Sequence, residues 1–305
     1  MTTPAGAGRD AGDSSAASTA GAGGDAGDSS AASAAGTGTG TGGGANGERG
    51  SYHRAAGRTD IELIGQIDTA SNAAYVGTID GTAVIYKPIA GERPLWDFPD
   101  GTLAEREVAA YLVSQSFGWN IVPRTWLGEG PAGLGMLQLW QEVDTEQQPV
   151  DLVAADEVPS EGWRHVFDGT DEHDHPVALI HEDSGQLRRM TVYDIVVNNA
   201  DRKGGHILPL PDGHRHGIDH GLTFHSEHKL RTVLWGFVGD ELTTDELEGV
   251  ERVRTDLDGR LGATLADLIT TDEIVALTKR CERLLSRARF PAPRGQMPAV
   301  PWPIF

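Results

Sequence analysis

The segment NNADRKGGH, at residues 198–206, carries an acid, a cation and a potential metal ligand at short spacing. Asp201 can accept or orient a hydroxyl proton, Lys203 can neutralise a transferred phosphoryl group, and His206 can hold a metal ion. The segment follows a predicted helix and is rich in turn-forming residues, so these side chains can converge at one rim. The spacing predicts phosphoryl-transfer chemistry. The alternative is a polar loop in which the Asn pair and Asp201 only satisfy backbone groups.

Two further segments offer groups for the same chemistry. Lys87 ends the strand-like run VIYKP and is one of four lysines in a chain with 21 arginines. A compact ammonium facing a cleft suits nucleotide phosphates, and Glu107 on the following helix can hold it as an ion pair. Asp219, 13 residues after His206, is expected on a short strand as a second metal ligand. The alternatives are a surface lysine on an edge strand and an ordinary Asp turn.

These motifs carry a resemblance to a known family. Residues 65–235 are similar to phosphatidylinositol 3- and 4-kinase-like catalytic domains, especially the type II phosphatidylinositol 4-kinases, and to the HipA-type protein kinases. The matching motifs are SNAAYVG, YKP, REVAAYLV, FGWNIVPRT, LQLWQE, NNADRKGGH and IDHGLTF. The resemblance implies an α+β, two-lobed, atypical protein-kinase-like fold. Its N-lobe would be strand-rich, its C-lobe mainly helical, and ATP would bind between them.

The resemblance also implies roles for the matching residues. Asp201, beside Lys203, would be the catalytic acid/base. Lys87 would bind the α- and β-phosphates while Glu107 orients it, and Asp219 would hold Mg²⁺. Further nucleotide contacts would come from the phosphate-covering hairpin and the hinge, namely Ser71, Asn72, Gln138, Leu139, Trp140, Gln141 and Glu142.

His206 departs from the family pattern, which places Asn as a metal ligand five residues after the catalytic acid. Imidazole is a poorer ligand than oxygen for Mg²⁺ and is better suited to transition metals. The second metal is therefore lost, is Mn²⁺, or is held by Asp219 alone. The expected cofactors are ATP with Mg²⁺ or Mn²⁺.

The elements that must position these groups are visible in the N-terminal half. The β-prone runs AAYVGTI and TAVIYK flank Asp80-Gly81, a pair that favours a two-residue hairpin turn. Residues 103–116 have the apolar spacing of a helix, with Gly118 as a stop. Two strand-like runs follow, NIVPRTWL and GLGMLQLWQEV. Residues 60–143 are therefore expected to form a strand-rich N-lobe.

The remainder, residues 144–290, is expected to form a mainly helical C-lobe. Its first part, to residue 185, is acidic and is predicted to be loop-rich, and a helix is predicted over residues 186–198. Two later helices carry capping-box spacing, Thr243 with Glu246 and Thr270 with Glu273. The histidines are interpreted as solvated or structural, except His206 and His220, and the alternative is a transition-metal site. The candidate ligands of such a metal site are histidines 173, 175, 181, 214, 216, 220 and 225.

The two ends of the chain have biased composition. Residues 1–55 form a Gly/Ala/Ser-rich tail that repeats AGDSSAAS and is predicted to be disordered. The Pro-rich residues 291–305 are predicted to form an extended strap that buries Trp302, Ile304 and Phe305, the alternative being an exposed docking peptide.

The amino-acid composition restricts the classes of binding partner and the cellular compartment expected for this protein. The formal charge of −20 argues against nucleic acid and anionic membranes. The lone Cys281 excludes an internal disulfide, there is no run of 18 apolar residues, and no secretory signal is recognisable. We therefore expect a cytoplasmic protein.

The sequence favours an ATP-dependent kinase that acts on a protein hydroxyl or a soluble small molecule, with the acceptor itself unidentified. One alternative is a phosphoinositide lipid kinase that uses the C-terminal PWPIF as its lipid contact. The other is a nucleotide-binding pseudokinase in which His206 marks lost catalysis.

Overall fold

The computed structural model describes the side chains and backbone of residues 60–67, 72–93, 95, 98, 102–295 and 297–305, together with the backbone of residues 54–58. These residues belong to one compact unit, residues 50–305. Ser71 and most of the predicted disordered tail lie outside the described residues. A strand begins at Arg54, so it overlaps the predicted tail by two residues.

The N-terminal part is built on one six-stranded sheet with the order β1-β5-β6-β4-β3-β2. Its neighbours pair antiparallel, except that β1 runs parallel to β5. The strands are β1 (Arg54–Arg58), β2 (Glu62–Gln66), β3 (Tyr75–Ile79), β4 (Thr82–Pro88), β5 (Thr125–Gly130) and β6 (Gly133–Leu139).

The predicted hairpin and first helix are confirmed. Strands β3 and β4 are joined at Asp80 and Gly81, whose φ angles of 48° and 76° are those of a tight two-residue turn. Helix α1 spans Leu103–Phe117 and ends at Gly118, which adopts the left-handed conformation. Glu92 holds the start of this helix, because its carboxylate accepts hydrogen bonds from the backbone N–H groups of Leu103 and Ala104.

The loop-rich prediction for residues 144–185 is wrong. Three strands, β7 (Val150–Ala154), β8 (Trp163–Thr170) and β9 (Pro176–Glu182), form an antiparallel sheet of order β7-β9-β8. The acidic and histidine-rich residues 171–175 occupy the turn between β8 and β9, so their polarity obscured the β-branched and aromatic residues on either side.

Helices dominate the rest of the chain. Helix α2 (Gly185–Val197) is followed by the short hairpin β10 (Ile207–Pro209) and β11 (Arg215–Gly217), then by α3 (Thr244–Leu257), α4 (Arg260–Leu265) and α5 (Thr271–Arg287). Both predicted capping boxes are present, at the starts of α3 and α5. Because residues 144–290 hold five strands beside these helices, "mainly helical" describes only their second half.

Helix α2 lies at the centre of the hydrophobic core. Nine of its 13 residues are buried, and seven of these pack in one hydrophobic cluster with the buried face of α1 and with α3 and α5. Tyr193 also ties α2 to α1 directly, since its hydroxyl donates to the carbonyl oxygen of Ala110 at 2.9 Å. A buried α2 matters because the NNADRKGGH segment starts where this helix ends, so the core fixes its starting point.

The backbone of the C-terminal segment is hydrogen-bonded to the rest of the chain, but its side chains are only partly buried. The backbone N–H of Gly204 donates to Ile304 and that of Thr232 donates to Ala299. Ile304 is buried, whereas Trp302 is 81% exposed and Phe305 is 54% exposed, so their predicted burial is wrong. Backbone hydrogen bonds therefore do much of the docking that apolar side chains were expected to do. None of the described helices is long and apolar enough to cross a bilayer.

Candidate functional site

Four segments that are far apart in the chain deliver their polar side chains to one place. Strand β4 supplies Lys87, helix α1 supplies Glu107, the loop after α2 supplies Asp201, and the loop after β11 supplies Asp219. All four residues line one cavity of about 380 Å³. This volume lies within the range of small-molecule binding sites.

Lys87 is held by two carboxylates. Its Nζ atom lies 2.9 Å from Oε1 of Glu107, which is the ion pair expected from the sequence, and 2.7 Å from Oδ1 of Asp219. Although burial works against the charged form, Asp219 and Glu107 together raise the pKa of Lys87 above its usual value. The ammonium is therefore fully protonated at neutral pH and fixed in the cavity.

Glu107 connects the helix to the loop that carries Asp219. It is 2% exposed, and its second oxygen, Oε2, accepts a hydrogen bond from the backbone N–H of His220 at 2.9 Å. A buried carboxylate is stable when both oxygens have partners. Glu107 thus positions Lys87 and the Asp219–His220 backbone together.

The Asn pair before Asp201 has a structural role, as the alternative interpretation of this segment proposed. Asn198 closes α2 in the left-handed conformation with φ of 56°, and its amide bridges to the backbone of His225 and Lys229. The Oδ1 atom of Asn199 accepts from the backbone N–H of Asp201 at 2.9 Å. These bonds fix the backbone and leave the Asp201 carboxylate for other partners.

Asp201 is half-buried beside Lys203. Its Oδ2 lies 3.4 Å from Nζ of Lys203, and burial raises the pKa of Asp201 above the ordinary value for an aspartate. A carboxylate with a raised pKa is a better proton acceptor than an exposed one. The structure therefore places Asp201 and Lys203 side by side, with Asp201 at the cavity wall.

His206 and Asp219 approach each other from the two loops. Since Nδ1 of His206 lies 2.9 Å from the carbonyl oxygen of Asp201, which can only accept, this nitrogen carries the proton. Burial lowers the pKa of His206 to about 4, so the ring is neutral and its Nε2 presents a lone pair. That atom lies 3.4 Å from Oδ2 of Asp219. Two acceptors facing each other in this way fit a shared cation.

Asp219 is not on a strand, which corrects the prediction. Strand β11 ends at Gly217, and Asp219 lies two residues later with φ of 61°, in the left-handed region that non-glycine residues seldom occupy. Lys87 is the main reason that the pKa of Asp219 falls well below its usual range. A strained backbone and a permanently ionised carboxylate are common at functional sites.

A buried network behind the site was missed by sequence reasoning. The guanidinium of Arg202, which is completely buried, forms two 2.9 Å bonds to the carboxylate of Asp194. It also donates to the carbonyl oxygens of His206 and Ile218, and to Nε2 of His220. Arg202 therefore clamps the two loops of the site together. An aspartate inside the apolar run VYDIVV of α2 was the available signal.

The fit of Gly217 against this clamp is tight. A Cβ atom at that position would lie 2.9 Å from a terminal nitrogen of Arg202, so a larger residue would displace the guanidinium. The close approach of backbone and guanidinium explains why glycine is needed there.

The predicted hinge residues do not line the cavity. Met136 of β6 does, whereas Gln138 is buried with its amide donating to Thr125, and the backbone N–H of Trp140 donates to Ala83. Of the remaining three, Leu139 and Gln141 are half-buried and Glu142 is exposed. Asn72 does line the cavity, and its Oδ1 accepts from the backbone N–H of Arg93.

The charge of the cavity constrains what can bind. Among the described residues that line it, the carboxylates of Glu92, Glu107, Asp201 and Asp219 outnumber the two cations, Lys87 and Arg93. A polyphosphate alone would be repelled by this excess, so it would enter with divalent cations. Asp219 and His206 are the residues that fit such a cation, and a carboxylate with an imidazole suits Mn²⁺ better than Mg²⁺.

A second group of potential ligands lies in the turn between β8 and β9. Asp171, His173 and His175 each place one ligand atom within 4.8 Å of the others. The two histidines are exposed and His175 is bonded to Asp171, which agrees with their interpretation as solvated side chains. None of the three lines the cavity of Lys87.

The fold and site together define an α+β protein in which a strand-rich N-terminal region and later helices meet at an acidic cavity that contains a half-buried lysine. The chain is 45% identical over 270 residues to Protein Rv2133c of Mycobacterium tuberculosis, an alignment that covers 84% of this chain and 96% of that protein. The chain belongs to the same family as Protein Rv2133c. No family model matches the sequence. The crystal structure of the Helicobacter pylori proinflammatory kinase CtkA aligns with 76% of this chain and 93% of its own at 12% identity, with a TM-score of 0.39.

Proposed function

We propose that this protein is an ATP-dependent kinase that transfers the γ-phosphoryl group to a hydroxyl of a protein or a soluble small molecule. The observation that carries the proposal is the convergence of Lys87, Glu107, Asp201 and Asp219 at one cavity, in the order and spacing expected of such an enzyme. The motif resemblance to phosphatidylinositol 3- and 4-kinase-like and HipA-type enzymes supports the same assignment.

Each group has a role in this proposal. Lys87 binds the phosphates of ATP and is kept in place by Glu107. Asp201 accepts the proton of the acceptor hydroxyl while the hydroxyl oxygen forms a bond to the γ-phosphorus of ATP. The bond between the γ-phosphorus and the β–γ bridging oxygen breaks at the same time, which releases ADP. Lys203 lies beside Asp201 and neutralises charge on the transferred group. A divalent metal ion, when bound by Asp219 and His206, would offset the negative charge of the phosphates.

The test is incubation of the purified protein with γ-labelled ATP and either Mg²⁺ or Mn²⁺. One sample receives a cell lysate and another receives phosphatidylinositol vesicles. Label in protein or in soluble small molecules supports the proposal. Label in lipid assigns the protein to the lipid kinases, for which the exposed Trp302 beside Phe305 offers a membrane contact. The absence of label, with ATP still stabilising the fold, assigns it to the pseudokinases.

The Asp201→Asn variant is the matched control for this assay. It keeps the size of the side chain and removes its capacity to accept a proton, so transfer should fall while the thermal stabilisation by ATP remains. Equal transfer by Asp201→Asn and the native protein would refute the assignment of Asp201.

A further inference from the structure

A concentration of positive charge lies on helix α5, apart from the residues that line the Lys87 cavity. Lys279, Arg280, Arg283 and Arg294, with His228, line a separate cavity of about 400 Å³, and Arg287 lines a small one beside it. No Asp or Glu among the described residues lines either of them. Such a site is unexpected in a protein with a formal charge of −20.

Arg280 is the innermost of these cations and is incompletely paired. It is 8% exposed, its Nε donates to the carbonyl oxygen of Val196, and one terminal nitrogen donates to that of His225. The other terminal nitrogen is buried with no hydrogen-bond partner among the described residues. A buried donor without a partner is costly, so the site has an unmet requirement for an acceptor.

The acids nearest in sequence do not neutralise the cluster. On α5, Glu273 pairs with Arg106 and Glu282 pairs with Arg254, both on other helices. Among the described residues no ion pair involves Lys279, Arg280, Arg283, Arg287 or Arg294.

The cations therefore destabilise one another. Arg283 lies three positions from Arg280 and four from both Lys279 and Arg287, which are spacings that place like charges on one helix face. Burial, together with Arg283, lowers the pKa of Arg280 to about 10. Burial and the neighbouring arginines also lower the pKa values of His228 and Arg294. A bound anion would relieve this repulsion.

We propose that this cavity, lined by Lys279, Arg280, Arg283 and Arg294, is a binding site for a small phosphorylated molecule. Guanidinium groups match the geometry of phosphoryl oxygens and bind them with two parallel hydrogen bonds. The volume suits a small molecule, and the net charge of the chain disfavours long polyanions such as nucleic acids. The phosphoryl group would accept the unpaired N–H of Arg280.

Pyrophosphate is the probe, titrated into the full-length protein by isothermal calorimetry in metal-free buffer. The double variant Arg283→Gln/Arg294→Gln removes two exposed cations of the lining. Neither forms an ion pair with a described residue, so the variant should fold as the native protein does. It should bind pyrophosphate at least tenfold more weakly than the native protein. Arg280 is left intact in this variant, since it also holds the backbone at Val196 and His225.

Two controls separate this site from other causes. Arg189→Gln also removes an arginine, one of α2 that forms an exposed ion pair with Asp245 of α3. Pyrophosphate binding by this variant should be unchanged. Lys87→Met disables the other cavity, and pyrophosphate binding should again be unchanged. The proposal is overturned if the native protein gives no saturable binding, if the double variant binds as well as the native protein, or if Lys87→Met alone abolishes binding.

Discussion

The Nζ atom of Lys87 lies 2.7 Å from Oδ1 of Asp219, across 132 positions of the chain. The other carboxylate oxygen of Asp219 faces Nε2 of His206 at 3.4 Å. One aspartate therefore joins a strand of the N-terminal sheet to both loops of the later part of the chain. This three-way junction is what makes the site respond to single substitutions in predictable ways.

Lys87→Met should abolish phosphoryl transfer. The change leaves Glu107 and Asp219 as two carboxylates without their shared cation, and it removes the group that binds the phosphates. We expect activity to fall by about 100-fold or more, and the thermal stabilisation by ATP with Mn²⁺ to disappear. Labelled transfer and melting curves measure the two effects. Arg189→Met is the control for loss of one cation, and an active Lys87→Met enzyme would contradict the assignment.

His206→Asn should change the metal preference. Replacing imidazole by an amide oxygen donor favours Mg²⁺ over Mn²⁺. We expect the Mn²⁺-supported rate to fall by about tenfold or more, and the ratio of Mg²⁺ to Mn²⁺ activity to rise. His214→Asn, which changes a histidine bonded to the backbone of Asn120, should leave the ratio unchanged. A higher rate in both metals would show instead that His206 weakens an otherwise intact site.

Arg202→Met should destabilise the whole fold. Both partners of the Arg202–Asp194 pair are completely buried, so removal of the arginine strands a buried carboxylate. The expected loss is about 3–5 kcal/mol in the free energy of unfolding, measured by urea denaturation. The double variant Arg202→Met/Asp194→Leu should recover a large part of it. Arg254→Met, which breaks more exposed pairs with Asp258 and Glu282, should lose much less.

Stability should fall on mild acidification because of His181. This ring is buried, its Nδ1 donates to the carbonyl oxygen of Glu182, and its Nε2 accepts from the backbone N–H of Gly236. Burial lowers the pKa of His181 to about 4, against about 6.5 in an unfolded chain. The unfolded state therefore binds more protons between these values, and stability present above pH ~6.5 is lost as the pH falls towards 4.

The measurement is the free energy of unfolding from pH 7 to pH 4, with His181→Leu and His173→Leu compared. His181→Leu should lower stability at pH 7 and make the dependence on pH less steep, because one of the buried histidines that titrate in this range is gone. His173 is exposed, so its replacement should leave the slope as it is in the native protein. A slope identical in all three proteins would contradict the role given to His181.

Local structure followed closely from the sequence. The Asp80-Gly81 turn, helix α1 with its Gly118 stop, and the capping boxes of α3 and α5 depend on residues a few positions apart. Such features are set by backbone preferences and short-range hydrogen bonds. The strands of residues 150–182 were missed because a polar turn between β8 and β9 dominated the composition of that stretch.

The sequence by itself determined which side chains could do the chemistry, since Lys87, Glu107, Asp201, His206 and Asp219 stand in recognisable motifs. Only the tertiary structure decided how they meet. Arg202 binds Asp194, eight positions away, and Arg280 contacts Val196, 84 positions away, while one of its N–H groups is left unpaired. The left-handed backbone of Asp219 depends on the path of a whole loop. Motif spacing shows which chemical groups stand near each other in the sequence. Burial and long-range contacts exist only once the core has formed, and they decide which groups are charged and which hydrogen-bond donors lack a partner.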